Sequence, residues 1–538
     1  INSKKTVKMS LDTFGGLNPR DDLGAGELYK AKNICTEAKG KLQSCKARTP
    51  VLTSLNFDFV ECMILPQTET HLTSFTGIAS KDGVKSFYFK GTKIGDLQNT
   101  VHSVVDFSGL ILIFPEKLYY SYRSDSTGTL KSMEQSVTNT FTYTTYYDLE
   151  GEIDYSTITK TSYAFPSYFS VGDSILISGT VYNNTKTLDS RFEKVTGDDM
   201  VSVVVDKVET GKLTVSVYNK KGSLSAFTKE SLVSSGLKKA VPDLSFVCIH
   251  NNRLWGVHAG DTDSGSTVGE YIYASALGDP LNFTSFRGLD TDSWWTEIAS
   301  PGAFTGIMPY ENHVLCFKKD LLHEVYGTSP SNFSVPYASY GGCLDIRSAA
   351  NISGAIYYLS DMGVMKYTGT EPILASEKAN ISVKSGSGAS YLGKYYLSCQ
   401  DGVYTYRPDI STWLMEENEP YDCMALLEGV LYAAKGGIVY SFLPYGKADF
   451  YLESCKIPLE KNSSGGINKA IFTLELKNGG SADIYISVDE GDFIKCASMQ
   501  KDGYFYGKAP IRLKHGDSFR YKISGSGEFT FHGIEVYC

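Results

Sequence analysis

A repeated aromatic hairpin places the strongest constraint on how this 538-residue chain can fold. Residues 354–369 read GAIYYLSDMGVMKYTG and residues 393–408 read GKYYLSCQDGVYTYRP, and each pattern is typical of two strands joined by a tight turn. Further copies, some weaker, cover residues 72–91, 110–124, 251–260, 312–327 and 429–444. The sequence therefore contains seven units with a period of roughly 40 residues.

A period of this length, made of strand–turn–strand units, predicts a β-propeller. One hairpin or one four-stranded blade cannot bury both of its apolar faces, whereas blades packed around an axis cover each other and leave only short edges. The Trp-Asp and kelch signatures of known propeller repeats are missing, and the alternative is a β-sandwich whose hairpins resemble one another. We predict an all-β protein whose core is a β-propeller of about seven blades.

The repeats are flanked and interrupted by segments whose sequence pattern differs from that of the hairpins. Residues 1–50 predict an extended N-terminal arm and a hairpin, and residues 51–135 and 241–446 predict the propeller. Between these, residues 136–240 predict an inserted small β-barrel, because alternating strands there are turned by Gly-Asp and Glu-Thr-Gly. Residues 447–538 alternate apolar and polar positions and predict a C-terminal β-sandwich. Helical candidates are few, at 24–33 and 228–240.

The charge and the cysteine content indicate which partners and which cellular compartment to expect. The 51 basic and 60 acidic residues give a formal net charge of −9, with no basic stripe that would grip nucleic acid or an anionic membrane. The eleven cysteines include no Cys-x-x-Cys pair, which favours reduced thiols over disulfides or zinc. The N-terminal residues do not resemble a signal peptide. We expect folding in a reducing cytoplasm and no contact with a membrane.

Few residues group in a way that suggests catalysis or metal binding. Asp261 and Asp263 ahead of Gly265 resemble the start of a calcium loop, but the acidic residue that would end it is absent. His313 and His323 occupy repeat positions that elsewhere hold Gly or Val, which indicates packing within strands. The eight histidines form no His-Glu-x-x-His motif, and no Gly-x-Ser-x-Gly occurs. The sequence predicts no catalytic residue, no metal and no cofactor.

Adjacent tryptophans form the one unusual aromatic feature. Trp294 and Trp295 are half of all the tryptophans, and Asp290, Asp292 and Glu297 flank them. These aromatics could face a ligand, with the acids acting on a sugar as general acid and nucleophile. The alternative is that one tryptophan packs between blades while the acids cap the loop.

The first fifty residues resemble bacteriophage virion proteins of the tail hub or nozzle class. Those chains open with a glycine-rich arm followed by short motifs, and the matching elements here are Gly15-Gly16-Leu17-Asn18, Gly26-Glu27, Ala31-Lys32-Asn33 and Gly40-Lys41-Leu42. The runs at 250–286 and 304–335 are similar to the same group, so the resemblance covers about half of the chain. Thr49-Pro50 departs from the pattern, which leaves the register of the first blade open.

The resemblance implies a structural protein of the virion that is not an enzyme. Its partners would be copies of itself in a ring, commonly six, adjacent head–tail connector or tail proteins, and transiently the exiting DNA. We expect it to assemble in the bacterial host cytoplasm through its appended β domains and through Phe14, Gly15, Gly16, Leu17 and Asn18 of the arm. A receptor- or glycan-binding tail adhesin built on a β-propeller is the alternative, and a propeller glycosidase is a further rival.

Overall fold

The computed structural model is all-β, which confirms the predicted fold class at that level. It describes residues 8–20, 24, 26–36, 41–67, 69–146, 155–178, 201–217, 231–239, 241–258, 271–336, 338–459, 469–513 and 516–537. Apart from strands, the described residues form three 3-10 helices, Leu130–Met133, Phe165–Ser167 and Ile346–Ser348. No helix in those ranges is long and apolar enough to cross a membrane. The calcium-like loop predicted at Asp261, Asp263 and Gly265 lies outside them.

The first half of the chain holds a series of short strands, two sheets and a barrel. The strands before the repeats are β1 (Lys8–Leu11), β2 (Gly16–Leu17), β3 (Glu27–Lys32), β4 (Ile34–Cys35), β5 (Leu42–Ser44) and β6 (Ala47–Leu52). Two four-stranded sheets follow, formed by β7 (Phe59–Met63), β8 (Gly77–Lys81), β9 (Val84–Phe89) and β10 (Thr92–Asp96), and by β11 (Ser103–Phe107), β12 (Leu110–Phe114), β13 (Leu118–Ser121) and β14 (Ser126–Thr129). A closed barrel contains β15 (Gln135–Tyr146), β16 (Tyr155–Thr159), β17 (Ser174–Ser178), β18 (Val201–Glu209), β19 (Lys212–Val217) and β20 (Ser231–Lys239).

Five further sheets follow the barrel. The third and fourth are β21 (Phe246–His250), β22 (Arg253–Val257), β23 (Tyr271–Ala274) and β24 (Trp294–Glu297), then β25 (Phe304–Tyr310), β26 (His313–Lys318), β27 (Leu321–Val325) and β28 (Ala338–Tyr340). The fifth and sixth are β29 (Ala350–Ile352), β30 (Ala355–Ser360), β31 (Gly363–Tyr367) and β32 (Ile373–Leu374), then β33 (Gly386–Tyr391), β34 (Lys394–Cys399), β35 (Gly402–Arg407) and β36 (Thr412–Glu417). The seventh joins β37 (Cys423–Leu427), β38 (Val430–Lys435) and β39 (Ile438–Tyr445) to β6. Over the described ranges there are thus seven four-stranded sheets.

The chain divides into two compact units. The first unit is Ile1–Leu97 with Ser339–Cys538, and the second is Gln98–Ala338. In the first unit, the leading strand of one sheet packs against the leading strand of the next: β29 against β33, β33 against β37, and β37 against β7. In the second unit β11 packs against β21, and β21 against β25. Within each unit, successive sheets therefore lie side by side along their leading strands.

The first unit also contains a sheet of eleven strands that joins the two ends of the chain. Its later members are β40 (Asp449–Ser454), β41 (Ile457–Pro458), β42 (Lys469–Val488), β43 (Ile494–Gln500), β44 (Phe505–Arg512) and β45 (Ser518–Tyr537), and its earlier members are β1 to β5. The 20-residue strands β42 and β45 pair antiparallel along almost their full length. Inward-facing residues alternate along both strands and form one apolar core.

Both helical candidates are strands in the structure. Glu27–Lys32 (β3), within the candidate at 24–33, pairs with β40, because Leu28 and Ala31 face the core while the polar residues around them lie at the surface. Ser231–Lys239 (β20), within the candidate at 228–240, pairs with β15 over nine residue pairs, and Leu237 enters the barrel core. The tertiary pairing outweighs the weak local helix preference in each case.

One hairpin turn carries an unexpected residue. In sheets two to seven the first two strands are joined by a two-residue turn whose first residue has a positive φ: Ser108, Asn251, Glu311, Ser353, Leu392 and Glu428. Five of the six side chains are polar. Leu392 is 77% exposed at a φ of 49°, so it gains little from burial while it adopts a conformation that disfavours branched apolar residues.

We expect Leu392→Asn to raise the free energy of unfolding by about 1 kcal/mol, because asparagine tolerates the left-handed conformation. Ser353→Asn at the equivalent turn of the fifth sheet is the matched control and should change stability by less than about 0.5 kcal/mol. Urea denaturation of the full chain measures both. Equal effects of the two substitutions would contradict strain at Leu392.

Candidate functional site

Two clefts in the first unit share a largely buried arginine, Arg48, in their lining. The first cleft has a volume of about 340 Å³, and its lining includes Lys32, Lys46, Glu417, Tyr421 and Tyr440. The second has a volume of about 430 Å³, and its lining includes Cys35, Cys45, Lys394, Glu416 and Phe442. Arg48 lines both. Volumes of this size fall in the range of small-molecule sites, about 300–1,000 Å³.

A strand irregularity brings the charged groups of this site together. Arg48 lies in β6, the strand from the N-terminal region that completes the seventh sheet by pairing with β39. Glu416 and Glu417 end β36, where the pairing with β35 shifts by one residue: Glu417 lies opposite Val403, but Met415 lies opposite Tyr404. In a regular strand, neighbouring side chains point to opposite faces, and a bulge changes that direction. The bulge at Glu416 allows both carboxylates to reach Arg48.

We call Arg48, Glu416 and Glu417 the Arg48 cluster. The Nε of Arg48 donates to Glu417 Oε1 at 2.9 Å, and Nη2 donates a short hydrogen bond to Glu416. The guanidinium also lies over the ring of Phe442, 3.9 Å from its centroid. Burial alone would lower the pKa of Arg48, but the carboxylates of Glu416 and Glu417 raise it well above its usual value. The arginine is therefore a permanent cation in this cluster.

The groups around the cluster are held by hydrogen bonds and by burial. Tyr421 donates from its hydroxyl to Glu417 Oε2 at 2.7 Å, and burial raises the pKa of that hydroxyl, with Glu417 adding to the effect. Lys394 Nζ lies 3.8 Å from Glu416 Oε1. Burial raises the pKa of the Cys45 thiol well above its usual value, and the neighbouring Cys35 thiol raises it further. A neutral thiol is a poor nucleophile, so Cys45 is not activated.

The arrangement is suited to holding strands together. Each carboxylate oxygen of Glu416 and Glu417 has a cationic or hydroxyl partner: Arg48 in β6, Lys394 in β34 of the sixth sheet, or Tyr421 in the segment between β36 and β37. Charge-assisted hydrogen bonds of this kind are stronger than neutral ones and specify geometry. The Arg48 cluster therefore anchors the N-terminal strand at the point where two sheets and the eleven-stranded sheet meet.

The residues predicted for assembly lie in the core of the chain itself. Phe14 packs with its ring 5.1 Å from Phe531, and Leu17 is buried in the same core. Gly16 has a φ of 86°, and a Cβ there would lie 2.6 Å from the Trp413 carbonyl oxygen, so only glycine fits. These side chains are therefore directed into the first unit, and their role in assembly stays a prediction.

The last arm residue is also used within the chain. Asn18 Nδ2 donates to Glu27 Oε2 at 2.6 Å, and Lys378 Nζ lies 2.8 Å from the other oxygen of that carboxylate. Gly15 donates from its backbone N–H to the Gly26 carbonyl at 3.0 Å. The arm is thus fixed by a chain of hydrogen bonds as well as by apolar packing.

The adjacent tryptophans point into different surroundings. Trp294 is buried between the third and fourth sheets, with its ring 5.9 Å from Trp255 and 5.4 Å from Phe333. It does not face a ligand, which corrects that part of the prediction. Trp295 is half-buried, and its ring meets Tyr271 edge-on at 5.6 Å. Successive residues of β24 alternate between faces, which separates the two rings.

The three acids beside the tryptophans have different surroundings. Asp292 is buried and accepts from the Leu289 backbone N–H at 3.0 Å and from that of Arg287. Asp290 accepts from the Ser331 hydroxyl at 3.5 Å. Glu297 ends β24 opposite Tyr271. Asp292 thus fixes the turn that carries it, and none of these contacts joins two of the three carboxylates as acid and nucleophile.

His323 is buried in the second unit and titrates outside its usual range. Its Nε2 lies 2.8 Å from the Ser300 hydroxyl, and the Phe304 ring packs edge-on against the imidazole. Burial lowers the pKa of His323 to about 4, and Lys318 adds to the shift. His250 and His313 also have lowered pKa values because of burial. The folded second unit therefore holds these histidines neutral.

We expect the free energy of unfolding to fall as the pH drops below 6.5. In the unfolded chain His323 is protonated below that pH, whereas in the folded chain it stays neutral down to about pH 4. At 1.36 kcal/mol per pH unit, this residue accounts for a loss of about 3 kcal/mol across that window. His323→Gln should keep the hydrogen bond to Ser300. Between pH 7 and pH 4 its free energy of unfolding should fall by about 3 kcal/mol less than that of the wild type. Urea denaturation at both pH values measures it, and parallel losses in variant and wild type would contradict the assignment.

Sequence reasoning missed the Arg48 cluster. The only visible signal was Glu416-Glu417 at the end of an apolar strand, where alternation should place one of them on the buried face. Their partner is 368 residues away, and sequence spacing gives no access to such a pair. Among the described residues, no three His, Cys, Asp or Glu side chains are arranged to hold a metal ion, and the ten described cysteines are free thiols.

Comparison with known proteins gives only distant structural likenesses. No protein-family model and no curated protein matches the chain. The carbohydrate-binding module TmCBM61 in complex with β-1,4-galactotriose matches at 15% identity and a TM-score of 0.14; the match covers 17% of this chain and 63% of the module. An exo-β-1,3-galactanase from Phanerochaete chrysosporium matches at 9% identity and a TM-score of 0.22, and the match covers 54% of this chain and 95% of the galactanase. Kluyveromyces lactis Hsv2 matches at 8% identity and a TM-score of 0.23, and the match covers 68% of this chain and 97% of Hsv2.

These comparisons correct one expectation. The galactanases among the similar structures are enzymes, which contradicts our expectation that this chain is not an enzyme, and we withdraw that expectation. At TM-scores of 0.22 and 0.23 the likeness carries no argument about a substrate or a reaction.

Proposed function

We propose that the chain is a seven-bladed β-propeller with an inserted barrel at 136–240 and a C-terminal β-sandwich at 447–538. We further propose that it serves as a subunit of a bacteriophage virion, in a ring at the tail hub or nozzle. The side-by-side packing of leading strands within each unit supports the propeller, because blades around an axis meet along their innermost strands. The resemblance of the arm to nozzle-type proteins supports the virion assignment.

One observation carries the mechanical part of this proposal: residues 8–52 are shared between two sheets. Strands β1 to β5 belong to the eleven-stranded sheet, and β6 completes the seventh sheet next to the Arg48 cluster. To separate these two sheets, one of two sets of contacts must break. The first is the β6–β39 pairing, and the second is the pairing of β3 with β40 and of β5 with β45. The ion pairs of Arg48 with Glu416 and Glu417 must break as well. A block built in this way is suited to keeping its shape in a ring under load.

The ring would surround the channel through which DNA leaves the capsid. Copies of this chain and adjacent connector or tail proteins would be its lasting partners, and DNA a transient one. The excess of acidic over basic residues favours passage of DNA, since carboxylates repel phosphates. Which carboxylates face the channel is part of the proposal, and a strongly basic lining in an assembled ring would contradict it.

Detection in purified particles tests the virion assignment. Phage particles carrying the gene with a peptide tag inserted after Asp502, in the exposed turn between β43 and β44, should show the protein by mass spectrometry. Gold-labelled antibody against the tag should mark the tail. Deleting residues 1–20 is unsuitable, because it removes Phe14 and Leu17 from the core and would destabilise the first unit. Particles that lack the protein but have complete tails would overturn the assignment.

The adhesin alternative differs in a measurable way. A receptor-binding protein should bind surface glycans or host cells when isolated, whereas a ring subunit should not need them. A glycan array probed with the purified chain separates the two. Specific binding to a glycan, combined with gold label confined to the outermost tip, would favour the adhesin over the nozzle.

A further inference from the structure

The first unit exposes a group of large apolar side chains rimmed by acids. Tyr340, Met362, Ile373 and Leu374 are between 37% and 84% exposed. The backbone brings these residues into one region, since Gly341, next to Tyr340, lies against Pro372, and Gly363, next to Met362, lies against Leu374. We call these four residues, together with Asp361 and Glu371, the acidic patch.

The carboxylates of the acidic patch are left without cations. Asp361 precedes Met362 in the turn between β30 and β31, and Glu371 precedes the edge strand β32, and both are exposed. Within the described ranges, no ion pair involves either carboxylate. Lys366 lies opposite Ile373, is half-buried and is the nearest cation along these strands. The patch therefore carries more negative than positive charge around an apolar centre.

The second unit exposes a smaller group of the opposite charge. The carbonyl of Gly172 accepts from the backbone N–H of Phe286. A Cβ on Gly172 would lie 2.4 Å from Arg287 Cγ, so the aliphatic part of the arginine side chain covers this backbone contact. Val171 and Leu289 flank it and are 52% and 55% exposed. We call the basic patch Val171, Arg287 and Leu289.

The guanidinium of Arg287 is available at the surface. The side chain is exposed, and among described residues no carboxylate lies within ion-pair distance of it. Asp290, its nearest exposed acid along the chain, accepts from Ser331. The buried Asp292 is held by the backbone N–H groups of Arg287 and Leu289. An arginine beside aliphatic side chains is a frequent energetic centre of protein interfaces.

We propose that the acidic patch of one copy binds the basic patch of another copy. The occupant follows from charge complementarity: the first patch offers carboxylates around an apolar centre, and the second offers an unpaired guanidinium between two apolar side chains. The two patches lie at different places on the chain, so the contact is heterologous, and heterologous contacts produce rings when the rotation closes. The inference rests on the proposed ring and names the surfaces that would form it.

Charge reversal with rescue tests the pairing. We expect the wild-type chain to associate with increasing concentration in mass photometry, and both Asp361→Lys/Glu371→Lys and Arg287→Glu to weaken association at least about tenfold. An equimolar mixture of the two variants should restore it, because the two introduced lysines of one variant then face the introduced glutamate of the other, while the remaining native patches also match. The mixture distinguishes a specific pairing from a general effect of charge.

A matched control and the folded state keep the test decisive. Asp320→Lys/Glu428→Lys makes the same change in net charge at exposed acids outside both patches and should associate like the wild type. Circular dichroism should show all variants folded. Wild-type protein that stays monomeric up to its solubility limit, variants that associate normally, or a mixture that fails to recover would each overturn the inference. None of these outcomes bears on detection of the protein in particles, which tests the proposed function separately.

Discussion

Replacing Arg253 with methionine is expected to lower the free energy of unfolding by about 5 kcal/mol, the largest effect that we predict for a single substitution. Arg253 is 1% exposed at the start of β22. Its guanidinium donates to the Ser275 carbonyl at 2.8 Å and, by shorter bonds, to those of Asp290 and Asp292. It also lies 5.6 Å from the centroid of the Phe333 ring. One side chain thus holds the loop between β23 and β24 onto the third sheet.

The size of the effect follows from what the substitution leaves behind. Methionine fills much of the volume but donates no hydrogen bond, so three carbonyl groups lose a charged donor, at about 1–3 kcal/mol each if they stay buried. Arg253→Lys keeps the charge but can satisfy fewer acceptors, because an ammonium lacks the planar fork. We therefore expect lysine to recover only part of the loss.

Tryptophan fluorescence during urea denaturation measures this prediction well. Trp255, Trp294 and Trp295 are in the second unit, and only Trp413 is in the first. Arg287→Met is the matched control: an exposed arginine of the same unit, expected to change stability by less than about 0.5 kcal/mol. If Arg253→Met were as mild as Arg287→Met, the loop would not depend on the buried arginine.

Arg48→Met is expected to cost about 4 kcal/mol in the first unit, since it leaves two neighbouring carboxylates without their shared cation. Side-chain exposures are 12% for Arg48 and 2% for Glu416, so water cannot replace the lost partner easily. The substitution should also loosen β6, because Arg48 ties that strand of the seventh sheet to the end of β36 in the sixth sheet. Limited proteolysis near residues 45–48 should accordingly become faster.

A double substitution separates the ion pair from packing. Arg48→Met/Glu416→Gln removes both charges of the most buried pair, and we expect it to recover at least about 2 kcal/mol of the loss, measured as the coupling energy of the cycle. Lys435→Met, which removes an exposed ion pair with Glu419 nearby, serves as the control and should cost less than about 1 kcal/mol. Additive effects of the Arg48 and Glu416 substitutions would refute a cluster that acts as a unit.

The repeat pattern carried most of the information about the fold. A recurring hairpin with turn residues at fixed offsets is a local signal, and seven repeats correspond to seven four-stranded sheets among the described residues. The strand content of residues 27–32 and 231–239 was missed, because short polar strands owe their conformation to the partners they pair with.

The charged groups were less accessible to sequence reasoning. Arg48 and Glu416, or Arg253 and the carbonyl groups that it binds, are brought together by the folded chain and share no spacing rule. Trp294 and Trp295 drew attention because tryptophan is rare here, yet rarity does not distinguish a core ring from a ligand-facing one. Burial decided that question for Trp294.

The order in which strands are made has a consequence for how the protein matures. Strand β6 pairs with β39, and β3 pairs with β40. These early strands therefore cannot complete their pairing until the C-terminal strands have been translated. At typical elongation rates of about 5–20 residues per second, the roughly 390 intervening residues take about 20–80 s. During that interval the nascent N-terminal strands have exposed edges, and holding them apart from other nascent chains is a task for the ribosome exit region and its chaperones.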